Sequence, residues 1–357
     1  MDIGIKKGAV TSSQVAEHAG VSQSAVSRTF TPGASISPKT RAKVLASAKA
    51  LGYRPNAIAR SLITNRSRII AVVMAYLENL FYPDVLEELG RRLAAENYHV
   101  LLFTGFKDRD SDPVFDQLMQ YRVDGIILAS TSLSSELAEE CETAGIPVVL
   151  FNRTTEKDVA SSVTTKNFEG GRLLGEFLLA GGHRTFGYIA GLPNSSTNRD
   201  RLAGFETALA RHGLGKPIIR IGNYSRPEAE AAARELLSLP ERPEAIFVAN
   251  DHMAVAVMDV ARYEFGLSIP QDLSIVGYDD VGPARWPSYG ITSVTQPIRG
   301  MVEATVDILM DQIASGDIEA NHKIISGELI VRTSARLPRD GIVEVDGQRV
   351  YRPEGGA

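Results

Sequence analysis

Cysteine is almost absent from this sequence, and long hydrophobic runs are missing. Cys141 is the only cysteine in 357 residues, so no disulfide can form within the chain and a reducing compartment is favoured. The segment around it, LAEECETAGIP, has a helical pattern that predicts a packed thiol rather than a reactive one. Because residues 1–10 carry no signal-like apolar segment and no run is long enough to span a bilayer, we expect a cytoplasmic protein with no membrane partner.

Sequence patterns for metal and nucleotide chemistry are also missing. The six histidines are scattered, and neither an HExxH pattern nor paired cysteines occur. The segment GGRLLGEF begins a helix but lacks the Lys-Ser/Thr of a phosphate-binding loop. Asp279 and Asp280 suggest a carboxylate pair, but adjacent side chains at a strand end usually point apart. We therefore expect no metal, no cofactor and no catalytic residues.

The composition is that of an ordinary globular protein, but the charge is unevenly distributed. Apolar residues make up 44% and charged residues 23% of a chain long enough for two or three domains. Residues 1–66 contain ten Lys/Arg and two acids and therefore carry a net +8, which leaves −13 for the rest of a chain whose total is −5. A basic module on an acidic body predicts that the module alone binds a polyanion.

Residues 10–30, VTSSQVAEHAGVSQSAVSRTF, have the pattern of two short helices joined by a tight turn. Thr11 or Ser12 can cap the first helix, Gly20 can end it, and Ser22 can cap the second. This arrangement predicts a helix-turn-helix, although on its own it fits a solvated helical hairpin about as well. The side chains predicted to face outward, with groups suited to a major groove, are those of Gln23, Ser24, Ser27 and Arg28.

A third helix is predicted to begin at Ser37-Pro38, because proline is favoured in the first turn of a helix. Its apolar stripe is predicted to close a three-helix core and comprises Val44, Leu45, Ala48 and Leu51. The basic residues of this helix fit phosphate contacts and a solvated face about equally well; they are Lys39, Arg41, Lys43 and Lys49.

From Ile69 onwards, apolar strand-like runs alternate with amphipathic helices. IIAVVMA is followed by DVLEELGRRLAAENY, and EAIFVAN by DHMAVAVMDVARYEFG. Such alternation predicts parallel sheets covered by helices, here in two doubly wound lobes with a ligand cleft at the carboxyl ends of their strands. The predicted fold is a small all-α helix-turn-helix DNA-binding domain plus an α/β two-lobed body with parallel sheets.

The opening segment closely resembles the DNA-binding headpiece of the LacI family of bacterial repressors, V-T-x-x-D-V-A-x-x-A-G-V-S-x-x-T-V-S-R. Gln14 replaces the Asp and Ala25 replaces the Thr of that pattern. The body resembles the periplasmic-binding-protein-like fold of the same family in IAGLPNSSTNRDRLAGF, AIFVANDHMAVAVM, DLSIVGYDD and ITSVTQP. The resemblance therefore spans almost the whole chain.

The resemblance implies a domain order. The headpiece would occupy 1–55, a hinge helix and linker 56–66, and an effector-binding and dimerisation domain 67–338. Within that domain the N-lobe would take about 67–165 and 296–325, and the C-lobe about 166–295 and 326–338. The remainder, 339–357, lacks the leucine heptads of a tetramer helix, and we expect it to form a loose C-terminal tail.

The segment NAIARSLITNRS matches a hinge helix that, in the LacI family, folds when a dimer binds DNA. Paired hinge helices there enter the minor groove and wedge a leucine between base pairs. Leu62 occupies the wedge position and Ala59 the position of close helix approach, although Leu62 would also fit as a linker residue packed on the body. The predicted DNA-binding residues are Thr11, Ser12, Ser22, Gln23, Ser24, Ser27, Arg28, Asn56, Ala59 and Leu62.

Polar and aromatic residues near strand ends form the predicted effector site. In the family, matching positions hydrogen-bond and stack on the small effector, and these residue types suit a carbohydrate. The predicted effector-binding residues are Phe81, Tyr82, Asn152, Arg201, Tyr224, Asn250, Asp279, Trp286 and Gln296. Arg201 with Asp279 also fits a structural ion pair, and Tyr82, Tyr224 and Trp286 also fit core packing. A sugar, a sugar acid, a polyol and a nucleobase all stay open as effectors.

These features predict a sequence-specific DNA-binding transcriptional regulator, a repressor of a carbohydrate-catabolism operon. A small-molecule effector, a sugar or derivative, would control operator binding from the cleft. We expect a homodimer on a pseudo-palindromic double-stranded operator. The alternative is a solute-binding receptor for sugar transport or sensing, which would need a signal peptide and no basic headpiece. An enzyme is the least favoured hypothesis, because the sequence has no pattern typical of a nucleophile with its base or of a cofactor site.

Overall fold

The structure, a computed structural model, describes residues 10–31, 33–54, 66–74, 77–104, 118, 120–129, 140–141, 143–154 and 160–353. The chain divides into two compact units, Met1–Ser67 and Arg68–Ala357. Asn56, Ala59 and Leu62 lie outside the described residues, so the predicted hinge helix stays a prediction. No helix in the described ranges combines the length and hydropathy of a membrane span.

Three helices form the first unit: α1 (Ser12–Ala19), α2 (Gln23–Thr29) and α3 (Pro38–Leu51). Thr11 caps α1 because its Oγ1 accepts from Gln14 N at 3.3 Å, while the Gln14 Oε1 accepts from Thr11 N at 2.9 Å. Gly20, with φ 64°, ends α1 in the left-handed conformation, and the Ser22 hydroxyl caps α2. The predicted helix-turn-helix is confirmed in its caps and its turn.

The core of this unit is small and lies between the three helices. Its buried side chains are those of Val15, Ala16, Ala19, Val26, Val44 and Ala48. His18 Nδ1 and Ser47 Oγ, 3.0 Å apart, join α1 to α3. The prediction that Leu45 belongs to the apolar stripe is wrong, since its side chain is 46% exposed. Leu45 lies about 100° around the helix from Val44, which carries it from the core face to solvent.

The second unit contains two sheets, and six of its α-helices have bounds within the described residues. The strands are β1 (Ile69–Met74), β2 (His99–Thr104), β3 (Gly125–Ala129), β4 (Val148–Phe151), β5 (Ser161–Thr165), β6 (Phe186–Ala190), β7 (Ile218–Ile221), β8 (Ala245–Val248), β9 (Ser274–Asp279), β10 (Thr292–Thr295), β11 (His322–Ile325), β12 (Leu329–Ile330), β13 (Ile342–Val345) and β14 (Gln348–Tyr351). The helices are α4 (Phe81–Ala95), α5 (Asn167–Ala180), α6 (Ser196–Arg211), α7 (Arg226–Leu237), α8 (Asp251–Asp259) and α9 (Ile298–Ser315).

The first sheet has the order β11-β5-β4-β3-β1-β2 and is parallel throughout. The second has the order β13-β14-β12-β10-β9-β8-β6-β7, parallel from β10 to β7 and antiparallel where β12, β14 and β13 are added. Most central strands are buried along their whole length, which explains why they read as continuous apolar runs. The predicted α/β body with parallel sheets is confirmed.

The chain passes between the two sheets at three places, after Thr165, after Thr295 and after Ile325. The crossing segments lie close together: Lys166 N donates to Ile325 O at 3.1 Å, and Glu328 N donates to Thr295 Oγ1 at 2.9 Å. Gly327 is required here, because a Cβ would lie 2.0 Å from Thr295 O. The three connections therefore form a tightly packed strip at the edge of the cleft between the sheets.

The prediction of a loose tail over 339–357 is wrong for residues 342–351. β13 and β14 form a hairpin around Asp346-Gly347, both with positive φ, and β14 pairs with β12 through Ile330–Val350 and Leu329–Tyr351. Tyr351 is 5% exposed, and its ring lies edge-on to that of Phe177, with 5.2 Å between centroids. The hairpin thus extends the second sheet and closes part of its core.

Candidate DNA-binding and effector sites

The surface of α2 carries the side chains that the sequence assigns to DNA. Gln23, Ser24, Ser27 and Arg28 are exposed, as is the cap residue Ser22. Gln23 Nε2 donates to Ser12 Oγ at 3.0 Å, and the hydroxyls of Ser22 and Ser24 are 3.0 Å apart.

Arg28 differs from its neighbours on α2. Within the described part of the chain its guanidinium makes no hydrogen bond or ion pair, whereas the Thr11 and Ser22 hydroxyls are already engaged as helix caps. All five N–H donors of Arg28 are therefore available to a partner molecule.

The cleft of the second unit is built around one buried guanidinium. Arg201, in α6, is 2% exposed, and its Nε donates to Asn167 Oδ1 at 2.9 Å. Its Nη1 donates to Ala249 O at 2.6 Å, and its Nη2 pairs with Asp279 Oδ1 at 3.3 Å. The guanidinium carbon also lies 3.6 Å from the centroid of the Tyr278 ring. The structural ion pair left open by the sequence is present.

Asp279 links Arg201 to the crossing segments through a further hydrogen bond. Its Oδ1 also accepts from Gln296 Nε2 at 2.7 Å, and Thr165 Oγ1 donates to Gln296 Oε1 at 3.4 Å. Burial raises the pKa of Asp279 above its usual range, although Arg201 and Gln296 oppose that rise. Arg201, Asp279 and Gln296, predicted separately from strand ends, therefore form one hydrogen-bonded network.

Asn167 belongs to this network but was not among the residues predicted from sequence. It begins α5 directly after the first crossing, and its Nδ2 donates to Thr165 O at 3.1 Å. Glycines hold α5 against α6: a Cβ on Gly171 would lie 2.0 Å from Arg201 O, and one on Gly204 would lie 1.9 Å from Phe168 O. The Gly-Gly pair at 170–171 was the available signal for this close helix contact.

Two predicted amides carry buried atoms without a hydrogen-bond partner. Asn152, which follows β4 with φ 58°, leaves its Oδ1 unpartnered among the described residues. Asn250, which follows β8, caps α8 by accepting from Met253 N at 3.1 Å, but its Nδ2 has no acceptor there. Each such atom costs about 1–3 kcal/mol, so these positions favour a polar ligand that supplies the missing bonds.

Tyr224 and a second arginine connect the two sides of the cleft. The Tyr224 hydroxyl lies 3.2 Å from Thr197 Oγ1, which also accepts from Arg153 Nη1 at 2.9 Å. Arg153 follows β4 in the first sheet, whereas Thr197 lies in the first turn of α6 on the second. Arg153 was also missed from sequence; its position next to Asn152 at a strand end was the signal.

The three remaining aromatic residues of the prediction take no part in this network. Phe81 and Tyr82, at 1% and 2% exposure, begin α4 and belong to the core, where Phe81 stacks on Phe151. Trp286 is 56% exposed after a short 3-10 turn, so its core-packing alternative is wrong. Their assignment to the effector stays a prediction.

Asp279 and Asp280 face different partners, as expected for neighbours at a strand end. Asp280 pairs with Arg332 at 2.7 Å and with Arg285 at 3.1 Å. Asp251, fully buried behind them, accepts from Ser293 Oγ at 2.9 Å, and burial raises its pKa well above the usual range. Across the residues that the structure describes, no group of three or more His, Cys, Asp or Glu could hold a metal ion.

Cys141 is packed, in agreement with its helical sequence setting. Its side chain is 1% exposed, and burial raises the pKa of the thiol to about 11. A thiol held in its neutral form inside a core is a poor nucleophile.

A helix-turn-helix unit with an exposed arginine on its second helix, together with a two-sheet body around a polar cleft, is the architecture of a DNA-binding protein with a ligand-binding body. Residues 13–56 match the bacterial regulatory proteins of the lacI family, and residues 176–335 match the periplasmic binding protein-like domain. The HTH-type transcriptional repressor PurR of Klebsiella pneumoniae (strain 342) is 31% identical over 330 residues, which are 91% of this chain and 96% of PurR. PurR of Yersinia enterocolitica is 32% identical over 85% of this chain and 91% of its own.

Solved structures give the same result. The lac repressor dimer bound to operator and the anti-inducer ONPF superposes with a TM-score of 0.81 at 28% identity, over 91% of this chain and 99% of that chain. The complex of the transcriptional regulator CelR with cellobiose gives 0.70 at 30% identity, over 91% and 100%.

This chain belongs to the LacI family of bacterial regulatory proteins. It is a DNA-binding transcriptional repressor with an effector-binding body, and the expectation that it is not an enzyme is confirmed by its relatives, which are regulators.

Proposed function

We propose that this protein represses a carbohydrate-catabolism operon by binding its operator as a homodimer, and that a sugar or sugar derivative in the cleft controls this binding. The observation that carries the effector assignment is the pair of unpartnered atoms, Asn152 Oδ1 and Asn250 Nδ2. Sugar hydroxyls both donate and accept, so one kind of ligand satisfies both atoms. The complex of the relative CelR with cellobiose supports the same ligand class.

The proposed effector acts through the network around Arg201. A ligand can shift the two sheets only if it has unequal affinity for their alternative arrangements. Hydroxyl groups that bind Asp279 or Gln296 compete with the contacts these side chains make to Arg201 and Thr165. Because that competition occurs beside the three crossing segments, occupancy of the cleft changes the strip that joins the sheets.

An operator titration tests the proposal as a whole. In a gel shift, the protein should retard DNA from the promoter region next to the gene, and the bound site should be an inverted repeat. Two copies of one headpiece related by a two-fold axis require such a palindrome. Sugars and sugar derivatives added singly should change the operator affinity in at least one case. If no carbohydrate changes the operator affinity but a nucleobase does, the proposed ligand class is contradicted.

The proposed major-groove contacts lie on α2. Gln23 suits adenine and Arg28 suits guanine through paired hydrogen bonds. Ser24 and Ser27 add shorter hydroxyl contacts, and the Thr11, Ser12 and Ser22 region at the helix caps faces the phosphates. Asn56, Ala59 and Leu62 are proposed to act in the minor groove, with Leu62 as the wedge.

We predict that Arg28→Ala costs about 1–3 kcal/mol of operator binding and relaxes preference at one base position. The expectation rests on the free guanidinium of Arg28 on α2. Fluorescence anisotropy against the operator and its single-base variants measures both effects.

The matched control is Arg41→Ala in α3. Arg41 Nη1 donates to Thr29 O at 3.1 Å, so this variant should lower the stability of the three-helix unit without changing the order of preferred bases. If Arg28→Ala weakened binding to all DNA sequences equally, base recognition by Arg28 would be contradicted. Arg28 would then be a phosphate contact only.

The homodimer is proposed to form through apolar edge strands. β7 pairs only with β6 in the described sheet, and three of its residues, Ile218, Ile219 and Ile221, are 36%, 37% and 52% exposed. β2 occupies the corresponding edge of the first sheet and leaves Leu102 36% exposed. Apolar residues on an unpaired edge are unusual unless another chain covers them. A second copy is favoured because the lac repressor relative is a dimer.

We predict that Ile221→Asp raises the dimer dissociation constant at least about tenfold, because a carboxylate would be buried in an apolar interface. Sedimentation velocity over a range of protein concentrations measures the change. The control is Ile324→Asp, which alters an exposed isoleucine on β11 at the opposite edge of the first sheet. Dimerisation unaffected by Ile221→Asp, or weakened equally by both variants, would place the interface elsewhere.

A further inference from the structure

A second arginine in the cleft is buried without a counter-charge from the residues that the structure describes. Arg153 is 8% exposed, and its Nη1 donates to Asn152 O at 2.8 Å and to Thr197 Oγ1 at 2.9 Å. Its guanidinium carbon lies 5.8 Å from the centroid of the Tyr224 ring. No carboxylate of the described residues lies within ion-pair distance, and no hydrogen bond of Nε or Nη2 accompanies those of Nη1.

The neighbouring arginines of this region are neutralised. Arg201 pairs with Asp279 at 3.3 Å, and Arg332 pairs with Asp280 at 2.7 Å. Asp280 is shared further with Arg285, and Asp279 already binds Arg201 and Gln296. Arg153 acts on Asp279 only across a distance, so two guanidiniums face one carboxylate in the cleft. A buried cation is costly unless it is paired, which leaves a charge for a ligand to neutralise.

The groups around Arg153 also suit an anion. The Thr197 and Tyr224 hydroxyls are 3.2 Å apart, so one donates to the other and the second keeps a proton that it can donate to Ser195 Oγ or to a ligand. They lie at the first turn of α6, a helix of 16 residues whose N-terminal backbone N–H groups favour negative charge. Arginine, hydroxyls and a helix N-terminus together form a familiar environment for carboxylate and phosphate oxygens.

We propose that the effector carries an anionic group, a carboxylate or a phosphate, and that Arg153 binds its oxygens. The inference rests on the proposed function, since it takes the cleft as the effector site. It narrows the ligand class from any carbohydrate to sugar acids and sugar phosphates. The neutral part of the ligand then lies toward Asn250, Asp279 and Gln296.

The test uses the full chain with matched ligand sets: glucose, glucuronate and glucose 6-phosphate, and galactose, galacturonate and galactose 6-phosphate. Inorganic phosphate against chloride at equal ionic strength probes the anion alone. Thermal shift and titration calorimetry should show that an anionic member or phosphate stabilises the protein more than its neutral or chloride counterpart. The acid and phosphate members separate the two sources of the charge.

Arg153 is then varied directly. Arg153→Gln should weaken binding of the anionic probe roughly thirtyfold or more, and Arg153→Lys should restore part of it. The control is Arg199→Gln, an exposed arginine in the first turn of the same helix that pairs with Asp200. Circular dichroism checks that each variant is folded. If a variant fails to fold, the inference is tested by comparing the anionic and neutral probes on the unaltered protein.

Three results would overturn the inference. They are equal or tighter binding of a neutral sugar, anion binding unchanged by Arg153→Gln, and no anion response beyond that to chloride. A neutral sugar that binds and changes operator affinity would leave the proposed function intact while removing the anion. A ligand that binds without any effect on operator affinity would contradict the proposed function instead.

Discussion

The effector-binding body depends on a buried guanidinium whose three nitrogens all donate inside the protein. Arg201 donates to an amide, a backbone carbonyl and a carboxylate, supplied by three different segments of the chain. Removing one partner of a buried pair strands the other, which typically costs about 3–5 kcal/mol. The position of Asp279 and the start of α5 are therefore tied to one side chain.

This constraint connects the sheets to the residues that are proposed to bind ligand. Asn167 lies just after the first crossing and Gln296 just after the start of the second. Gly327 lies after the third crossing and packs on Thr295, where the second begins. A ligand that binds Asp279 or Gln296 acts on the same side chains that hold those crossings. In the proposed mechanism, these shared hydrogen bonds couple ligand binding to the relation between the two sheets, without a separate relay through the core.

Much of the fold follows from sequence because its signals are local. Caps at Thr11 and Ser22, a left-handed Gly20 and the alternation of apolar runs with amphipathic helices each depend on a few adjacent residues. The Asp346-Gly347 turn was also a readable signal, but its flanking strands are only four residues long and they join a sheet whose neighbour, β12, has two. The loose-tail prediction failed because that pairing is non-local.

The site was only partly predictable for the same reason. Asp279 and Gln296 stand at strand ends and Arg201 lies in the second turn of α6, within the RLAGF segment that the sequence resemblance marks. The Gly-Gly pair at 170–171 signals a close helix contact, but the role of Asn167 depends on the packing of α5 against α6 through Gly171 and Gly204, which is non-local. The described residues place no carboxylate beside Arg153, and this is a property of its neighbours in space, which no spacing along the chain encodes.

The central claim is that the Arg201–Asp279 pair holds the cleft together, and a double-mutant cycle tests it most directly. Arg201→Met, Asp279→Asn and the double variant are unfolded in urea, followed by the fluorescence of Trp286, the single tryptophan, which lies in the second unit. Each single variant should lose about 3–5 kcal/mol, and the double variant should lose less than their sum by about 2 kcal/mol or more. Losses that add within about 0.5 kcal/mol would contradict the account.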